Sequence, residues 1–446
     1  MEGSHEQGHF TRYESKLLFI HIQRKKLDLI KINPLSSAFD IAKKISFPTS
    51  KSYTGIIVKL AMIATSISVA AIILTLSIVN GFQDSISNKV FSFWGHIRIE
   101  SVNGRPLPQN DSLIQQLKLQ NKELIQNITP FIHQSTVIGY QKEIEGVVAK
   151  GISAQEPIPF LIKGSELYVP QNAQQDAIQD AKNDSSQHPI IISDVLARKL
   201  NIDLHKNVKL YFLNGTQVQQ RSFKVTGMYH SGIDDYDQKF IMVPLSELQQ
   251  LQNNNASIPT VDGYTITLRN ADNIDSIKNK IQSQLPSNWV STTIPNYYPQ
   301  IFDWIGVQNI NRNVAITIML LIAIINLVTC LFILMLERIP MIGSFSAMGA
   351  SHGFIQKIFM YQASFIAWTG ILTGCLLGIS LSLLQLKFGW IQLDESAYFV
   401  KTLPIKIVPL QIIGVMLGTA VISYISFLLP TLWVKRISPA SAIRFD

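Results

Sequence analysis

The feature that most constrains this chain is a set of four apolar stretches, each long enough to cross a lipid bilayer. A transmembrane helix needs about 20 predominantly apolar residues, whereas an apolar run of roughly 10–14 residues is more typical of a buried helix in a soluble domain. The stretches are Ile56–Phe82, Val314–Leu336, Ile358–Leu386 and Ile407–Val434. Their one charged residue, Lys59, lies near an end, where its side chain can reach the membrane surface. The sequence therefore predicts an integral membrane protein with four transmembrane helices.

The distribution of basic residues predicts how these helices are oriented. The 446 residues include 38 Lys and Arg and 30 Asp and Glu, which gives a net charge of +8. Residues 84–312 contain 20 basic and 21 acidic residues, so the basic excess lies in the rest of the chain, beside the apolar stretches. Because cytoplasmic flanks are enriched in Lys and Arg, we expect both termini in the cytoplasm and residues 84–312 outside. The excess does not form a patch on a folded face, so nucleic-acid binding is not expected.

These observations divide the chain into ten segments. They are a cytoplasmic N-terminal extension (1–34), an amphipathic segment on the cytoplasmic face (35–54), transmembrane helix 1 (56–82), an extracytoplasmic domain (84–312), transmembrane helix 2 (314–336), a short cytoplasmic segment (338–357), transmembrane helix 3 (358–386), a short extracytoplasmic loop (387–406), transmembrane helix 4 (407–434) and a cytoplasmic C-terminal tail (435–446). Helix 1 is longer than the 7–15 apolar residues of a signal peptide, so we expect it to remain as an anchor.

The segment 84–312 combines two kinds of hydrophobic pattern. Alternating, strand-like runs are His96–Glu100, Gly146–Lys150, Val208–Phe212, Phe223–Met228, Phe240–Val243 and Tyr264–Leu268. Helix-like runs are Asp111–Ile125, Ser193–Leu200 and Asp272–Leu285, with Asp111 and Asp272 as N-caps. Asn214-Gly215, between two strand-like runs, is typical of a tight hairpin turn. The pattern predicts an α+β domain with short strands.

The same segment carries no motif that indicates covalent chemistry. Serine-hydrolase and zinc-protease motifs are missing from the sequence, and the spacing of its nine His and two Cys does not match a zinc site. The acidic group Asp234, Asp235 and Asp237 lacks the ligand ladder of an EF-hand, so a solvated turn is predicted there. The polar run Gln171–Gln187 predicts a solvated loop. We expect a domain that binds or moves something, with no catalytic residue, cofactor or metal of its own.

Several residues inside the apolar stretches indicate close helix packing. They are Gly370, Gly374 and Gly378 in helix 3, Gly414 and Gly418 in helix 4, and Asn326 in helix 2. Small residues four apart let two helix backbones approach, either within the chain or at the seam of a dimer. An amide in mid-membrane requires a polar partner, either on another helix or on a substrate. Charged residues are missing from the middle of every stretch, so transport coupled to ions through a charged pathway is not expected.

Motifs spread along the chain resemble one known family. They are Val79–Phe82 at the exit of helix 1, Pro189–Leu200, Val225–Met228 and Tyr236-Asp237 in the outer domain, Ser346–Ser351 between helices 2 and 3, and Ser438–Ala440 with Arg444–Asp446 at the end. Together with one helix, a large outer domain and three further helices, these motifs resemble the FtsX/MacB-type ABC transporter permeases. The outer-domain motifs are similar to those of lipoprotein-releasing permeases of the LolC/LolE type. The resemblance covers about residues 35–446.

The resemblance implies a mechanism in which a separate subunit binds and hydrolyses ATP. The sequence has no G-x-x-x-x-G-K-[ST] motif, so ATP would be bound by an ABC ATP-binding partner, which Met348, Gly349, Ala350 and Ser351 would contact. Two permeases, identical or different, would form a dimer in the inner membrane. They would extract lipoproteins from the outer leaflet, with membrane lipids and acyl chains along the helices, and pass them to a periplasmic carrier.

Two other functions are compatible with the same family. An FtsX-like signal transmitter would use the motion of the ATPase to regulate a cell-wall hydrolase. An efflux permease would work with a periplasmic adaptor, although MacB-type chains carry a fused ATPase. Two features depart from the lipoprotein-releasing pattern: the hairpin at Asn214-Gly215 is short, and residues 1–34 have no counterpart.

Overall fold

A computed structural model describes residues 39, 42, 53–109, 111–153, 160, 188–214, 217–252, 259–271, 273–428 and 430. The predicted extension 1–34, the loop 171–187, the tail 435–446 and nearly all of segment 35–54 lie outside these residues. The chain divides into two compact units. One contains residues 1–77, 311–384 and 407–446, and the other contains residues 78–310 and 385–406.

In chain order the elements are α1 (Tyr53–Trp94), β1 (Ile97–Ser101), β2 (Leu107–Pro108), α2 (Ser112–Gln120), β3 (Ile125–Phe131), β4 (His133–Tyr140), β5 (Glu143–Ile152), β6 (His188–Ser193), α3 (Asp194–Lys199), β7 (Asn207–Asn214), β8 (Gln217–Tyr229), α4 (Asp234–Lys239), β9 (Phe240–Pro244), α5 (Leu245–Gln252), β10 (Thr260–Val261), β11 (Gly263–Leu268), α6 (Ile274–Gln282), β12 (Trp289–Thr293), α7 (Ile294–Tyr297), α8 (Pro299–Glu337), α9 (Ile339–Ala347), α10 (His352–Phe388), α11 (Glu395–Tyr398) and α12 (Pro409–Ser426).

Four of these helices, α1, α8, α10 and α12, are long and apolar enough to cross a membrane. The first two exceed the apolar stretches within them, because α1 continues to Trp94 and α8 begins at Pro299. At about 1.5 Å per residue, the 42 residues of α1 extend over roughly 63 Å, about twice the thickness of a bilayer's hydrocarbon core. The apolar pattern therefore marks only part of each helix. The fourth helix begins at Pro409, a residue that fits the first turn because its missing N–H has no helical acceptor there.

A closed barrel of six strands forms the larger part of the α+β region, in the order β4-β5-β9-β6-β8-β7. Most neighbouring strands are antiparallel, and β5–β9 and β6–β8 are parallel. Ile138, Leu210, Phe212, Phe223 and Val225 are buried inside it. The prediction of short strands is wrong for β8, which has 13 residues. Its largely polar first half also forms a strand, because it pairs with the neighbouring barrel strand β7. Asn214 pairs with Gln217 at the predicted hairpin, whose turn residues lie outside the described range.

A second sheet, in the order β12-β1-β11-β3, follows directly from the end of α1. Helix α2 has the predicted cap: the Asp111 carboxylate accepts a hydrogen bond of 2.9 Å from the Leu113 N–H. Asp272, the other predicted cap, lies outside the described residues, and helix α6 begins after Asn273, which has a left-handed backbone (φ 59°) and makes no side-chain cap bond. Both helices are shorter than predicted. Helix α2 ends before Ile125, which begins strand β3, and helix α6 ends before Leu285.

Candidate functional site

The segment between α8 and α10 is a short helix followed by an exposed corner. Helix α9 ends at Ala347, and Met348, its C-cap, is 73% exposed. Gly349 has a left-handed backbone with φ +86°, which glycine adopts without steric cost. The N–H of Ala350 then donates to the Phe345 carbonyl oxygen at 2.9 Å, and Ser351 Oγ accepts from the Phe354 N–H at 3.3 Å. The four residues predicted to contact an ATPase therefore form a turn of defined shape with an apolar side chain at its surface.

The three glycines of α10 lie against α1. A Cβ added to Gly374 would lie 2.5 Å from the Ser66 carbonyl oxygen, and one added to Gly370 would lie 2.9 Å from Thr65 Cβ. Gly378 is similarly close to Ala70 and Ile73. Only glycine permits this approach of the two backbones. Around Gly414 and Gly418 of α12, by contrast, an added Cβ would have no heavy atom of the described residues within 4 Å apart from its chain neighbours and the nearby backbone of α12 itself.

Asn326 of α8 also faces α1. Its Nδ2 donates a hydrogen bond of 3.3 Å to the Ala61 carbonyl oxygen. Near it along α8, Leu327 and Cys330 are buried against residues of α1 and α10. The structure therefore gives this amide a partner on another helix, as a polar group in a membrane requires.

The end of α1 is anchored in the α+β region by a buried cation. Lys150, on β5 of the barrel, is 5% exposed, and its Nζ donates a hydrogen bond of 2.5 Å to the Phe93 carbonyl oxygen. The same ammonium lies 4.6 Å from the centre of the Phe93 ring. Carbonyls in the last turn of a helix lack intrahelical partners and carry the negative end of the helix dipole. A lysine is therefore well suited to hold this helix end. The sequence pattern indicates only that Lys150 belongs to a strand and gives no sign of this contact.

Aromatic rings connect the end of α1 to the beginning of α8. The Trp94 ring stacks on Tyr298 with centroids 5.2 Å apart, and Phe91 lies 5.6 Å from Phe302. Burial raises the pKa of Tyr236, which contacts Trp94 in the same cluster, to about 12. The two long helices are thus joined to the barrel and to each other by buried side chains. We call the residues Phe93, Trp94, Lys150 and Tyr298 the stalk joint.

A cluster of charged side chains lies at the end of strand β8, around His230. Its Nδ1 is 2.7 Å from Asp194 Oδ1, and its Nε2 is 3.0 Å from Glu395 Oε2. The solvated turn predicted for the acidic group is wrong: Asp234, Asp235 and Asp237 lie in helix α4, and Asp237 is fully buried.

The buried Asp237 carboxylate is held by donors of the preceding turn. It accepts hydrogen bonds from the Ser231 N–H at 2.9 Å, the Ser231 hydroxyl at 2.8 Å and the Gly232 N–H at 3.1 Å. These bonds replace the hydration that the carboxylate loses on burial. The sequence shows the acidic group but not the loop that folds back onto it.

The contacts of this cluster suit a network of ion pairs better than a metal centre. Ligand atoms of Asp194, His230 and Asp237 lie within 4.8 Å of one another. Both ring nitrogens of His230, however, face carboxylates, and a ring that donates a hydrogen bond to each of them is protonated at both nitrogens and has no lone pair for a metal ion. The hydrogen bond to Asp194, opposed by burial and supported by the bond to Glu395, raises the pKa of His230 to about 9. The arrangement is an ion cluster that holds an imidazolium.

Comparison with known proteins assigns the chain to a class. Residues 59–284 match the model of the MacB-like periplasmic core domain, and residues 313–439 match that of the FtsX-like permease C-terminal region. The chain belongs to the FtsX/MacB-type family of ABC transporter permeases.

Within that family the chain is similar to lipoprotein-releasing permeases along nearly its whole length. It is 19% identical over 428 residues to the lipoprotein-releasing system transmembrane protein LolC of Xylella fastidiosa, which covers 93% of this chain and 100% of that protein. It is 24% identical over 407 residues to LolC of Buchnera aphidicola, with coverage of 88% and 94%. It is 22% identical over 421 residues to LolE of Haemophilus influenzae, with coverage of 87% and 94%.

Proposed function

We propose that this chain is the permease subunit of an ABC transporter that extracts lipoproteins from the outer leaflet of the inner membrane and passes them to a periplasmic carrier. The observation that carries the proposal is the stalk joint. Lys150 binds the last turn of α1, and the Trp94–Tyr298 stack ties that turn to the start of α8. A displacement of the part of either helix that lies outside the membrane would therefore move the barrel. A transporter that converts ATP hydrolysis into motion of an outer domain requires such a connection.

The choice of lipoproteins as substrate rests on similarity. The relatives described above are lipoprotein-releasing permeases, and each aligns over more than nine tenths of its own length. An extracted lipoprotein presents acyl chains to the permease, and a cleft between α1 and α8 is lined mainly by apolar side chains. Its lining residues are Val79, Phe82, Gln83, Trp304, Ile305, Gln308 and Tyr398. With a volume of about 90 Å³ it is smaller than the roughly 300–1,000 Å³ of typical ligand pockets, so it would take only part of one acyl chain.

The topology follows from the same proposal. The α+β domain, inserted between the first and second transmembrane helices, would be periplasmic, and both termini would be cytoplasmic. The corner Met348–Ser351 would then face the cytoplasm and contact the ATP-binding subunit. A second permease, identical or different, would complete the transporter, and the open surface at Gly414 and Gly418 suits a helix of that second copy.

Depletion of the protein followed by fractionation of lipoproteins tests the proposed function. We expect lipoproteins to accumulate in the inner membrane and to decline in the outer membrane within a few generations. Normal lipoprotein distribution combined with a division or cell-wall defect would support the hydrolase regulator instead. Normal distribution combined with sensitivity to exported drugs would support efflux.

A further inference from the structure

The loop between α10 and α12 packs against the α+β region at several places. Residues 385–406 belong to the same compact unit as the barrel and the end of α1. On the α1 side, Lys89 Nζ donates a hydrogen bond of 2.6 Å to the Phe399 carbonyl oxygen, and Lys406 pairs with Asp84. Gly81 allows the backbone of the loop to approach, since any Cβ there would overlap the Pro404 carbonyl oxygen. The loop is therefore fixed along one side of α1.

One histidine makes a charged contact between this loop and the barrel. His230 follows the last residue of β8, and its ring lies between Asp194 at the start of α3 and Glu395 at the start of α11. Glu395 is the carboxylate of the loop that contacts this ring, and it is only 20% exposed. A ring with a carboxylate oxygen at 2.7 Å from one nitrogen and 3.0 Å from the other satisfies both carboxylates only as the imidazolium. The charge on His230 thus binds the loop to the barrel.

The charged groups around the ring come from every element packed against it. Three carboxylates face it, since Asp237 Oδ2 of α4 lies 3.5 Å from Nδ1 in addition to Asp194 and Glu395. Cations lie behind two of these carboxylates. Lys89 of α1 and Lys401 of the loop are 3.6 and 3.4 Å from Glu395, and Arg198 of α3 is 2.9 Å from Asp194. These cations would repel the imidazolium, but each is separated from it by a carboxylate.

We propose that His230 is a positively charged clasp that fixes the loop 387–406 to the barrel, so that α10 and α12 move the outer domain through a third connection besides α1 and α8. His230 is a positioning residue in this scheme, because it acts through Glu395 and touches no substrate. The mechanical consequence rests on the proposed function, whereas the closed clasp itself does not.

The clasp has a defined pH range. The pKa of His230 is raised from 6.5 to about 9. The stabilisation of the clasp by the charge on His230 is therefore complete below pH 6.5 and is lost as pH rises through 9. Burial is the largest single effect on Asp194 and Glu395 and acts to raise their pKa values, but the hydrogen bond and the charge of His230, together with the nearby cations, lower both pKa values. The clasp is also lost in acid, when those two carboxylates become protonated. At neutral pH it is closed.

Hydrogen–deuterium exchange of the full-length permease in lipid nanodiscs tests the clasp. In the wild type we expect residues 387–406 to be protected at pH 7 and to lose protection by pH 10, after correction for the intrinsic pH dependence of exchange. In His230→Gln, protection of the loop should fall at least about tenfold at pH 7, and the transition near pH 9 should disappear. Glu143→Gln, which removes an exposed carboxylate from the β4–β5 hairpin, should match the wild type.

Two readouts separate the clasp from a general folding defect. Strand β6 should keep its protection in His230→Gln; if it does not, Glu395→Gln decides the question, because that change lies in the loop and leaves the barrel intact. Loss of protection confined to the loop in either variant supports the clasp. Wild-type protection of the loop in Glu395→Gln, or a pH transition that persists in His230→Gln, would overturn it.

A second measurement tests the mechanical consequence. With the ATP-binding subunit and a triacylated lipoprotein in proteoliposomes, the clasp variants should hydrolyse ATP within about twofold of the wild type but release several-fold fewer lipoproteins per ATP. Equal release per ATP in Glu395→Gln would overturn the third connection. If the wild type itself releases none, the proposed function is wrong, and the exchange data still decide whether the clasp exists.

Discussion

Lys150 Nζ lies 2.5 Å from the Phe93 carbonyl oxygen, and this contact joins a barrel strand to the last turn of a 42-residue helix. Both groups are buried. A carbonyl at a helix end has few other partners, and an ammonium is costly to bury unless a strong acceptor receives it. Each group therefore satisfies the other, and the contact holds the end of the helix directly on the barrel.

Replacing this lysine should weaken the joint. We expect Lys150→Met to lower the free energy of unfolding by about 1.5–3 kcal/mol, because it leaves a buried carbonyl without its charged donor. Denaturant unfolding of the full-length permease in detergent measures the change. Lys142→Met alters an exposed lysine on the adjoining hairpin and should change the free energy by less than about 0.5 kcal/mol. Equal effects of the two substitutions would contradict the role assigned to Lys150.

The corner after α9 should depend on its left-handed glycine. Neither Gly349 nor Gly353 has a described heavy atom within 4 Å of an added Cβ, but only Gly349 has a positive φ. Gly349→Ala should therefore cost about 1–2 kcal/mol in that conformation and reduce ATP hydrolysis coupled to release. Gly353→Ala should leave both unchanged or slightly improve helix stability.

The measurement is ATPase activity and lipoprotein release with the ATP-binding subunit present. Gly349→Pro, which cannot adopt a positive φ at all, should abolish coupling while the four helices remain inserted. Unchanged coupling in Gly349→Pro would show that the corner does not receive the motion of the ATPase.

Helix packing within the membrane should distinguish two sets of glycines. Gly374→Leu should destabilise the folded permease by about 1–3 kcal/mol, because the new side chain overlaps Ser66 and Val69 of α1. Gly414→Leu meets no described atom within 4 Å of its Cβ, so the isolated chain should unfold at the wild-type temperature. Thermal unfolding of both variants in detergent checks the difference. A larger loss of stability in Gly414→Leu than in Gly374→Leu would contradict this packing.

The hydrogen bond of Asn326 predicts a smaller effect. Asn326→Leu should lower stability by about 0.6 kcal/mol and by no more than about 1.7 kcal/mol, the range of interhelical hydrogen bonds in membranes. The same unfolding assay applies, with Asn313→Leu as the control, since Asn313 lies on the same helix and is exposed. A loss of release activity with unchanged stability would instead indicate that Asn326 contacts the substrate.

The sequence pattern located the membrane-crossing helices because apolar runs of that length are rare in soluble domains. The predicted first span ends at Phe82, because the polar residues Gln83 and Asp84 follow it. In the structure these two residues contact Asn309 and Lys406, and helix α1 continues past them. Alternation placed Lys150 in a strand but could not reveal its acceptor, which is 57 residues away. The His230–Glu395 contact joins residues 165 apart, and no local pattern encodes it. Long-range polar contacts were therefore the part of the site that the sequence did not predict.

Release of lipoproteins from reconstituted membranes tests the central claim most directly. Proteoliposomes containing this permease, its ATP-binding subunit and a labelled triacylated lipoprotein are incubated with a periplasmic carrier, and the labelled lipoprotein in the soluble fraction is measured. We predict release that requires ATP and falls several-fold in Lys150→Met, while ATP hydrolysis continues. ATP hydrolysis without release of the lipoprotein by the wild-type permease, or equal release with and without ATP, would contradict the account.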